Sequence, residues 1–384
     1  MKTCGVICEF NPFHNGHKYL LSEIRKQGFD TIICVMSGSF TQRGDVAIID
    51  KFARTRCAIQ NGADLVIELP TPFAVASAQR FAKGAVEILN ATGIVGSLYF
   101  GSESGDIELL RKAACATENS DVKAILQQKM GQGEYYPLAL ESAVKEVFSK
   151  ETSDILASPN NILAVEYIKE LEKFGINAGT IKRKAVEHDS SEAKGNFASA
   201  SLIREMIFSG RDVSKLAPCC DYSNPAKLEF GERAILLKLK TMSIEEISEL
   251  ADVSEGLENR IYSASRSSNS LEELLFQIKT KRYTLARLRR IIASALLGIT
   301  KELQNSPLPY LRILGMNDIG KEALSQIAKK SPLPVVTSVA SALKILDTNA
   351  QKMLLCDINA TDIRTIFENK ITHSGKDFTE AIVK

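Results

Sequence analysis

A chain of 384 residues is too long for one ordinary hydrophobic core, which points to two domains. With 45% hydrophobic and 24% charged residues it reads as a soluble globular protein, and its longest apolar runs, such as 291–299, are far too short to span a bilayer. The formal net charge of +2 does not announce a nucleic-acid binder, yet it leaves room for a local basic patch.

In chain order, residues 3–9 form a short apolar run of the kind a buried parallel strand needs. A polar turn with Pro12 follows, then a helix over about 16–27 with Leu20, Leu21 and Ile24 on one face. Strands are predicted at 31–36, 63–68 and 97–100, with helices at 49–61 and 78–90 between them. Residues 107–150 look helical, 161–174 is a helix entered through Ser158-Pro159-Asn160, 177–183 a strand, and 199–208 a helix. This alternation predicts an α/β fold: a doubly wound, Rossmann-like parallel sheet with right-handed crossovers over residues 1–212. The boundary is expected near 209–215. Residues 213–384 read as a mainly α-helical C-terminal domain with little strand pattern, containing helices at 234–240, 244–250, 271–278, 285–296, 321–330 and 338–346 and a polar break at 263–270.

Eight cysteines without a C-x-x-C pair, and only four histidines, argue against structural zinc. Reduced thiols of a cytoplasmic protein are expected, since no signal-peptide pattern opens the chain. The vicinal Cys219-Cys220 pair lies in a loop-like stretch and receives no role.

The chemistry concentrates at Cys8-Glu9-Phe10-Asn11-Pro12-Phe13-His14-Asn15-Gly16-His17, between the first strand and the first helix. Open α/β sheets bind ligands there, and a helix N-terminus offers backbone N–H groups and a positive dipole end to phosphate. Two histidines separated by two residues can face one triphosphate, and Gly16 permits close backbone approach. The competing reading of H-x-G-H is a turn with solvated histidines. The preceding buried strand and following helix favour function.

These residues resemble the H-x-G-H nucleotidylyltransferase superfamily. Glu9 to His17, Met36-Ser37-Gly38-Ser39-Phe40-Thr41-Gln42-Arg43-Gly44 and Ala63-Asp64-Leu65-Val66-Ile67-Glu68-Leu69-Pro70 together resemble the bacterial tRNA(Met) cytidine acetate ligase family. Phe100-Gly101-Ser102-Glu103, Pro159-Asn160-Asn161-Ile162-Leu163 and Lys281-Arg282-Tyr283-Thr284 extend the likeness over most of the chain. The resemblance implies that ATP and acetate form acetyl-adenylate and pyrophosphate, and that acetyl then passes to the exocyclic amine of the wobble cytidine of elongator tRNA(Met), giving N4-acetylcytidine. It implies His14 and His17 as catalytic donors to the phosphates, with magnesium carried by ATP and no protein metal site. The nucleotide-binding positions it implies are Ile7, Cys8, Glu9, Phe10, Asn11, Pro12, Phe13, His14, Asn15, Gly16, His17, Lys18, Tyr19, Leu20, Gly101, Asn160, Arg183 and Lys184. An apolar residue was the expectation at Lys184, whose contact is therefore assigned to backbone. Asn160 has the alternative of a plain helix N-cap, and Gly101 that of a turn glycine.

Ala198-Ser199-Ala200-Ser201-Leu202-Ile203-Arg204 is similar to the superfamily's second phosphate segment, without its threonine. Ser199 and Ser201 are candidates for capping and phosphate binding, and Arg204 for the β- or γ-phosphate. Residues 37–44 form a candidate loop over the reacting acetate, with a structural crossover as the alternative. His188 beside Asp189 is a candidate for ATP or metal, or a surface pair.

The segment 279–290 holds Lys279, Lys281, Arg282, Arg287, Arg289 and Arg290 with no acidic residue. Leu285, Leu288 and Ile292 suggest a helix packed on one face, and Tyr283 a ring for base stacking, so tRNA contact is weighed against a solvated helix face. Two other functions stay open: a small-molecule adenylyltransferase acting on a phosphorylated metabolite, and a non-catalytic RNA-binding protein with a vestigial nucleotide site. No membrane partner is expected, and the oligomeric state is not legible.

Overall fold

The computed structural model describes residues 2–184, 195–254 and 256–384. The first five strands, β1 (Thr3–Cys8), β2 (Thr31–Ser37), β3 (Leu65–Leu69), β4 (Ser97–Ser102) and β5 (Asn177–Lys182), are mutually parallel. β1, β2 and β3 form because short apolar runs can be buried on both faces, β2 being buried at every position, while β4 buries alternate residues and β5 at the edge only Gly179. Side chains alternate between two cores. Cys4, Val6, Ile32 and Cys34 meet Leu21 and Ile24 of helix α1 (Asn15–Lys26) and Cys57 and Ala58 of helix α2 (Lys51–Gln60). Ile7, Ile33 and Val35 join the opposite core with the helices Ala78–Ala91 and Pro159–Glu172.

The sheet order is β5-β4-β1-β2-β3-β6-β7. The chain leaves β1 toward β2 and β3, then returns to place β4 on the other side of β1. The strand order therefore reverses between β1 and β4, and a crevice opens beyond their carboxyl ends.

The expectation of a C-terminal part with little strand pattern is corrected by β6 (Leu311–Met316), antiparallel to β3, and β7 (Val335–Val336), parallel to β6. Residues 311–336 thus extend the sheet of the N-terminal part. The apolar run at β6 is too short for its period to separate strand from helix. The helix Leu257–Ser267 also occupies most of the predicted polar break at 263–270. The helix Thr348–Arg364 had no clear stripe to announce it, because it is buried on several sides with Asp357, Thr361 and Arg364 as well as Met353 and Leu354.

Helices between Glu232 and Leu297 build a separate apolar core around Ile235, Leu274, Leu288 and Ile292. Phe40 and Val46, from the loop after β2, are inserted into it. A buried ionic cluster ties the C-terminal segment to the sheet. Lys51 Nζ lies 2.8 Å from Glu68 Oε1 and 2.8 Å from Asp377 Oδ1, and Arg312 reaches Glu68 at 2.9 Å and Asp377 at 2.5 Å. Two cations and two anions offset one another's desolvation. Among the described residues, no helix is long and apolar enough to cross a membrane.

Candidate active site

The crevice is a cleft of about 410 Å³ lined by Ile7–Asn11, His14, Gly16, His17, Tyr19, Leu20, Gly101, Asn160, Arg183, Lys184, Ser199, Ser201 and Arg204, among others. It brings together residues from the ends of β1, β4 and β5 and from the starts of three helices. Of the nucleotide positions expected from sequence, Pro12, Phe13, Asn15 and Lys18 stand outside this lining. Phe13 is buried against His17, and Lys18 is exposed.

His14 caps α1: its Nδ1 accepts from Gly16 N–H at 3.0 Å, while His17 Nδ1 accepts from His14 N–H at 3.3 Å. The rings stack with centroids 3.8 Å apart, and Phe10 and Phe13 flank His17. A Cβ on residue 16 would lie 2.7 Å from His14 Cε1, so the ring itself is what requires glycine there. Burial, then the charges of Arg183 and Arg204, lowers His14 to about 3. Burial, His14 and Arg183 push His17 well below the ordinary histidine range. Both rings are thus neutral near pH 7. Because each Nδ1 is an acceptor, each proton sits on Nε2, which makes both side chains donors through that atom.

The helix terminus departs from expectation. The Asn15 N–H donates to Leu216 O at 3.0 Å, the Gly16 N–H to His14 Nδ1, and the His17 N–H to His14 O at 2.9 Å. These first-turn donors are already used, so an anion here meets side chains. Arg204 donates to Asn11 O at 2.8 Å and to Ser201 Oγ at 3.3 Å. Burial lowers the pKa of Arg183 and of Arg204, a mark of cations held in partly dry surroundings. Ser199 Oγ accepts from Leu202 N–H at 3.1 Å and caps the helix Ala200–Phe208. The Lys184 ammonium stands 4.1 Å from the Tyr19 ring and 5.6 Å from that of Phe197. Asn160 is no N-cap. Ser158 holds that position, and Asn160 Nδ2 donates to Glu103 Oε1 at 2.5 Å. Gly101 faces Arg183, whose Cγ would lie 3.4 Å from an added Cβ.

Sequence reasoning missed Arg54. Fully buried, it donates to Ile49 O at 3.0 Å, Glu9 O at 2.6 Å, Ser37 O at 3.0 Å and also to Gly38 O. It clamps the motif loop to the 37–44 loop. Glu9 Oε1 accepts from Gln42 N–H at 2.7 Å and Ser37 Oγ at 3.2 Å, and burial raises its pKa. Thr41, Gln42, Arg43 and Asp45 also line the cleft. Gly44, at φ +78°, lies directly against the backbone of Arg289 and Arg290, where a Cβ has no room. No isolated motif announced these contacts, because their partners come from distant segments.

The basic segment is partly internal. Lys279, Lys281 and Arg282 are exposed. Arg290 is buried in an ion pair with Asp252 at 2.6 Å, Arg287 donates to Asp252 O and Ser254 Oγ, and Arg289 pairs with Asp45 at 3.2 Å. Tyr283 is buried in the helical core, which corrects its reading as a stacking ring, and Leu285 is partly exposed instead of packed. His188 and Asp189 lie outside the described residues.

A mostly parallel sheet whose strand order reverses at the cleft, with an H-x-G-H loop on its floor and cations around it, defines a nucleotidyltransferase-type protein. The HIGH Nucleotidyl Transferase family matches residues 1–378. A tRNA(Met) cytidine acetate ligase of Acetivibrio thermocellus is 41% identical, and one of Thermoanaerobacter sp. (strain X514) 40%, each over 100% of both chains. The crystal structure of apo Thermotoga maritima TmcAL superposes with a TM-score of 0.92 at 33% identity, covering 100% of this chain and 99% of that one. The same protein bound with alpha-thio ATP gives 0.89 at 33% identity, with the same coverage. The chain therefore belongs to the HIGH nucleotidyl transferase family, in its tRNA(Met) cytidine acetate ligase branch.

Proposed function

We propose that this protein is an ATP-dependent tRNA(Met) cytidine acetate ligase whose cleft first makes acetyl-adenylate. The observation that carries the reading is the pair of neutral imidazoles, each held as an Nε2–H donor at the cleft floor beneath Arg183 and Arg204. The relatives' names and the alpha-thio ATP bound by the Thermotoga protein support ATP as the ligand. An acetate oxygen attacks the α-phosphorus, and the bond to the α,β-bridging oxygen breaks to release pyrophosphate. Negative charge builds on the phosphate oxygens, where positioned donors act most strongly. Among the described residues, no three His, Cys, Asp or Glu side chains group as metal ligands. Glu9 and Asp45 on the cleft wall are engaged by the 37–44 loop and by Arg289, so magnesium fits as a companion of the triphosphate, where it supplies charge neutralisation.

In the second step the cytidine amine attacks the acetyl carbon, AMP leaves, and the amine loses a proton. The loop 37–44, tied to Glu9 and to the helix Leu285–Leu297, limits water at an acyl phosphate that hydrolyses readily. Residues 1–212 carry the ATP site in this reading, and the helical part within 213–384 meets the tRNA. Lys279, Lys281 and Arg282 offer exposed charge, and Phe276, 81% exposed in the helix just before them, offers a ring for stacking in place of Tyr283. The experiment is ATP–pyrophosphate exchange with a panel of acids. Exchange with acetate supports the ligase. Exchange only with a phosphorylated metabolite supports a small-molecule adenylyltransferase, and no exchange with any acid contradicts both.

A further inference from the structure

We propose that Cys57 and Cys220 form a built thiol pair that peroxide converts to a reversible disulfide beside the nucleotide cleft. Cys57 is buried on α2, and its Sγ lies 2.7 Å from Cys220 Sγ in the loop that follows Pro218. Cys219 stands next to them, with its sulfur accepting from Asn61 Nδ2 at 3.1 Å. The three sulfurs do not group as a metal site, since thiolates around a metal at about 2.3 Å stand roughly 3.8 Å apart. The observed separation is nearer the disulfide bond length of about 2.05 Å. Either sulfur of the Cys57–Cys220 contact can be the donor, so one proton is shared between two thiols already in contact. Cys220, part-exposed in its loop where Cys57 is buried, is the sulfur peroxide reaches first, which makes it the nucleophile and Cys57 the resolving thiol.

The chemistry balances with hydrogen peroxide as oxidant. Cys220 thiolate attacks one peroxide oxygen, the O–O bond breaks, and Cys220 becomes a sulfenic acid while hydroxide leaves and is protonated to water. Cys57 sulfur then attacks the Cys220 sulfur. The S–S bond forms, the S–O bond breaks, and the departing hydroxide takes the Cys57 proton as a second water.

Both partners sit on the cleft's supports. Leu216 O and Lys215 O, at the start of the Cys220 loop, hold the Asn15 N–H and Asn15 Nδ2 at 3.0 and 2.8 Å. Arg54, one turn before Cys57, holds the carbonyls of Glu9 and Ser37. Closing the sulfurs by about 0.7 Å to the bond length pulls these two supports toward each other. Catalytic geometry tolerates such shifts poorly, with losses reaching about 100-fold per Å. This consequence rests on the nucleotidyl-transfer reading. The disulfide itself does not.

The test treats the full-length reduced protein with hydrogen peroxide, maps peptides without reduction, and measures acetate-dependent exchange before and after dithiothreitol. The expected result is a link between peptides 57–80 and 216–227, retained in Cys219→Ser, absent in Cys220→Ser and Cys220→Ala, and accompanied by an exchange loss of about 10-fold that dithiothreitol restores. Under reducing conditions Cys220→Ser exchanges like wild type. Oxidation confined to the exposed Cys115, or a link with exchange unchanged, overturns the proposal. Reduced wild type that never exchanges with acetate fails the ligase reading instead, and the peptide map still decides the disulfide.

Discussion

At the residue scale, the roles of His14 and His17 follow from where their Nδ1 atoms point. With Nδ1 accepting from backbone, only Nε2–H is left as a donor, the atom that faces phosphate in the proposed reaction. His17→Ala removes one such donor and should slow acetate-dependent exchange on the order of 100-fold while the circular dichroism spectrum is kept. A folded variant with near-wild-type exchange would remove His17 from the mechanism. The lowered pKa of His14, about 3, also has a consequence for stability. Below pH 6.5 the unfolded chain takes up a proton that the folded one refuses, so stability is full above that pH and falls as pH drops toward the folded value. The slope is about 1.4 kcal/mol per pH unit for one histidine. In His14→Asn, whose Oδ1 can still accept from Gly16 N–H, urea unfolding of the ligand-free protein should show a shallower loss between pH 6 and 4. Parallel pH profiles would contradict a neutral, buried His14. The motif, Ser199 as a cap and Arg204 on the cleft wall were legible because each is set by local chain geometry. Arg54 was not, since its four carbonyl partners come from segments that only the fold assembles.

At the scale of elements, β1, β2 and β3 could be read because each is a short apolar run closed by a turn, and β4 and β5 because they complete the alternation of strands with helices. β6 was hidden. Its run is just as short, and Arg312, its second residue, reads as a break until Glu68 and Asp377 are seen opposite. That arginine joins β6 to β3 through an ion cluster buried from water. Arg312→Ala leaves two carboxylates facing Lys51 alone and should destabilise the fold by about 3–5 kcal/mol, measured by chemical denaturation. A loss under 1 kcal/mol would mean the cluster is not closed in solution. The basic segment divides in the same way. Arg290 is an internal tether to Asp252, so charge reversal there tests folding and not RNA contact. Lys279→Glu, Lys281→Glu and Arg282→Glu combined should weaken tRNA binding and flatten its salt dependence, with pyrophosphate exchange intact. Unchanged affinity across several salt concentrations would place the tRNA elsewhere.

For the whole molecule, the C-terminal half is not a separate appendage. Residues 311–316 complete the sheet, Phe40 and Val46 insert into the helical core, and Arg289 pairs with Asp45 on the cleft wall. On the proposed reading, a tRNA held by the helical part would lie against the 37–44 loop. Sequence alone carried the five parallel strands along the chain and the site's floor, but not this joint, because it depends on pairs separated by more than 240 residues. The central claim, that one chain activates acetate and delivers it to a cytidine, is tested most directly by incubating the protein with elongator tRNA(Met), ATP, magnesium and carbon-labelled acetate. The expected result is label on N4-acetylcytidine at the wobble position, with AMP and pyrophosphate formed, and none when ATP is omitted or acetyl-coenzyme A replaces acetate and ATP. Transfer from acetyl-coenzyme A without ATP, or acetate-dependent exchange that never labels tRNA, would contradict the account.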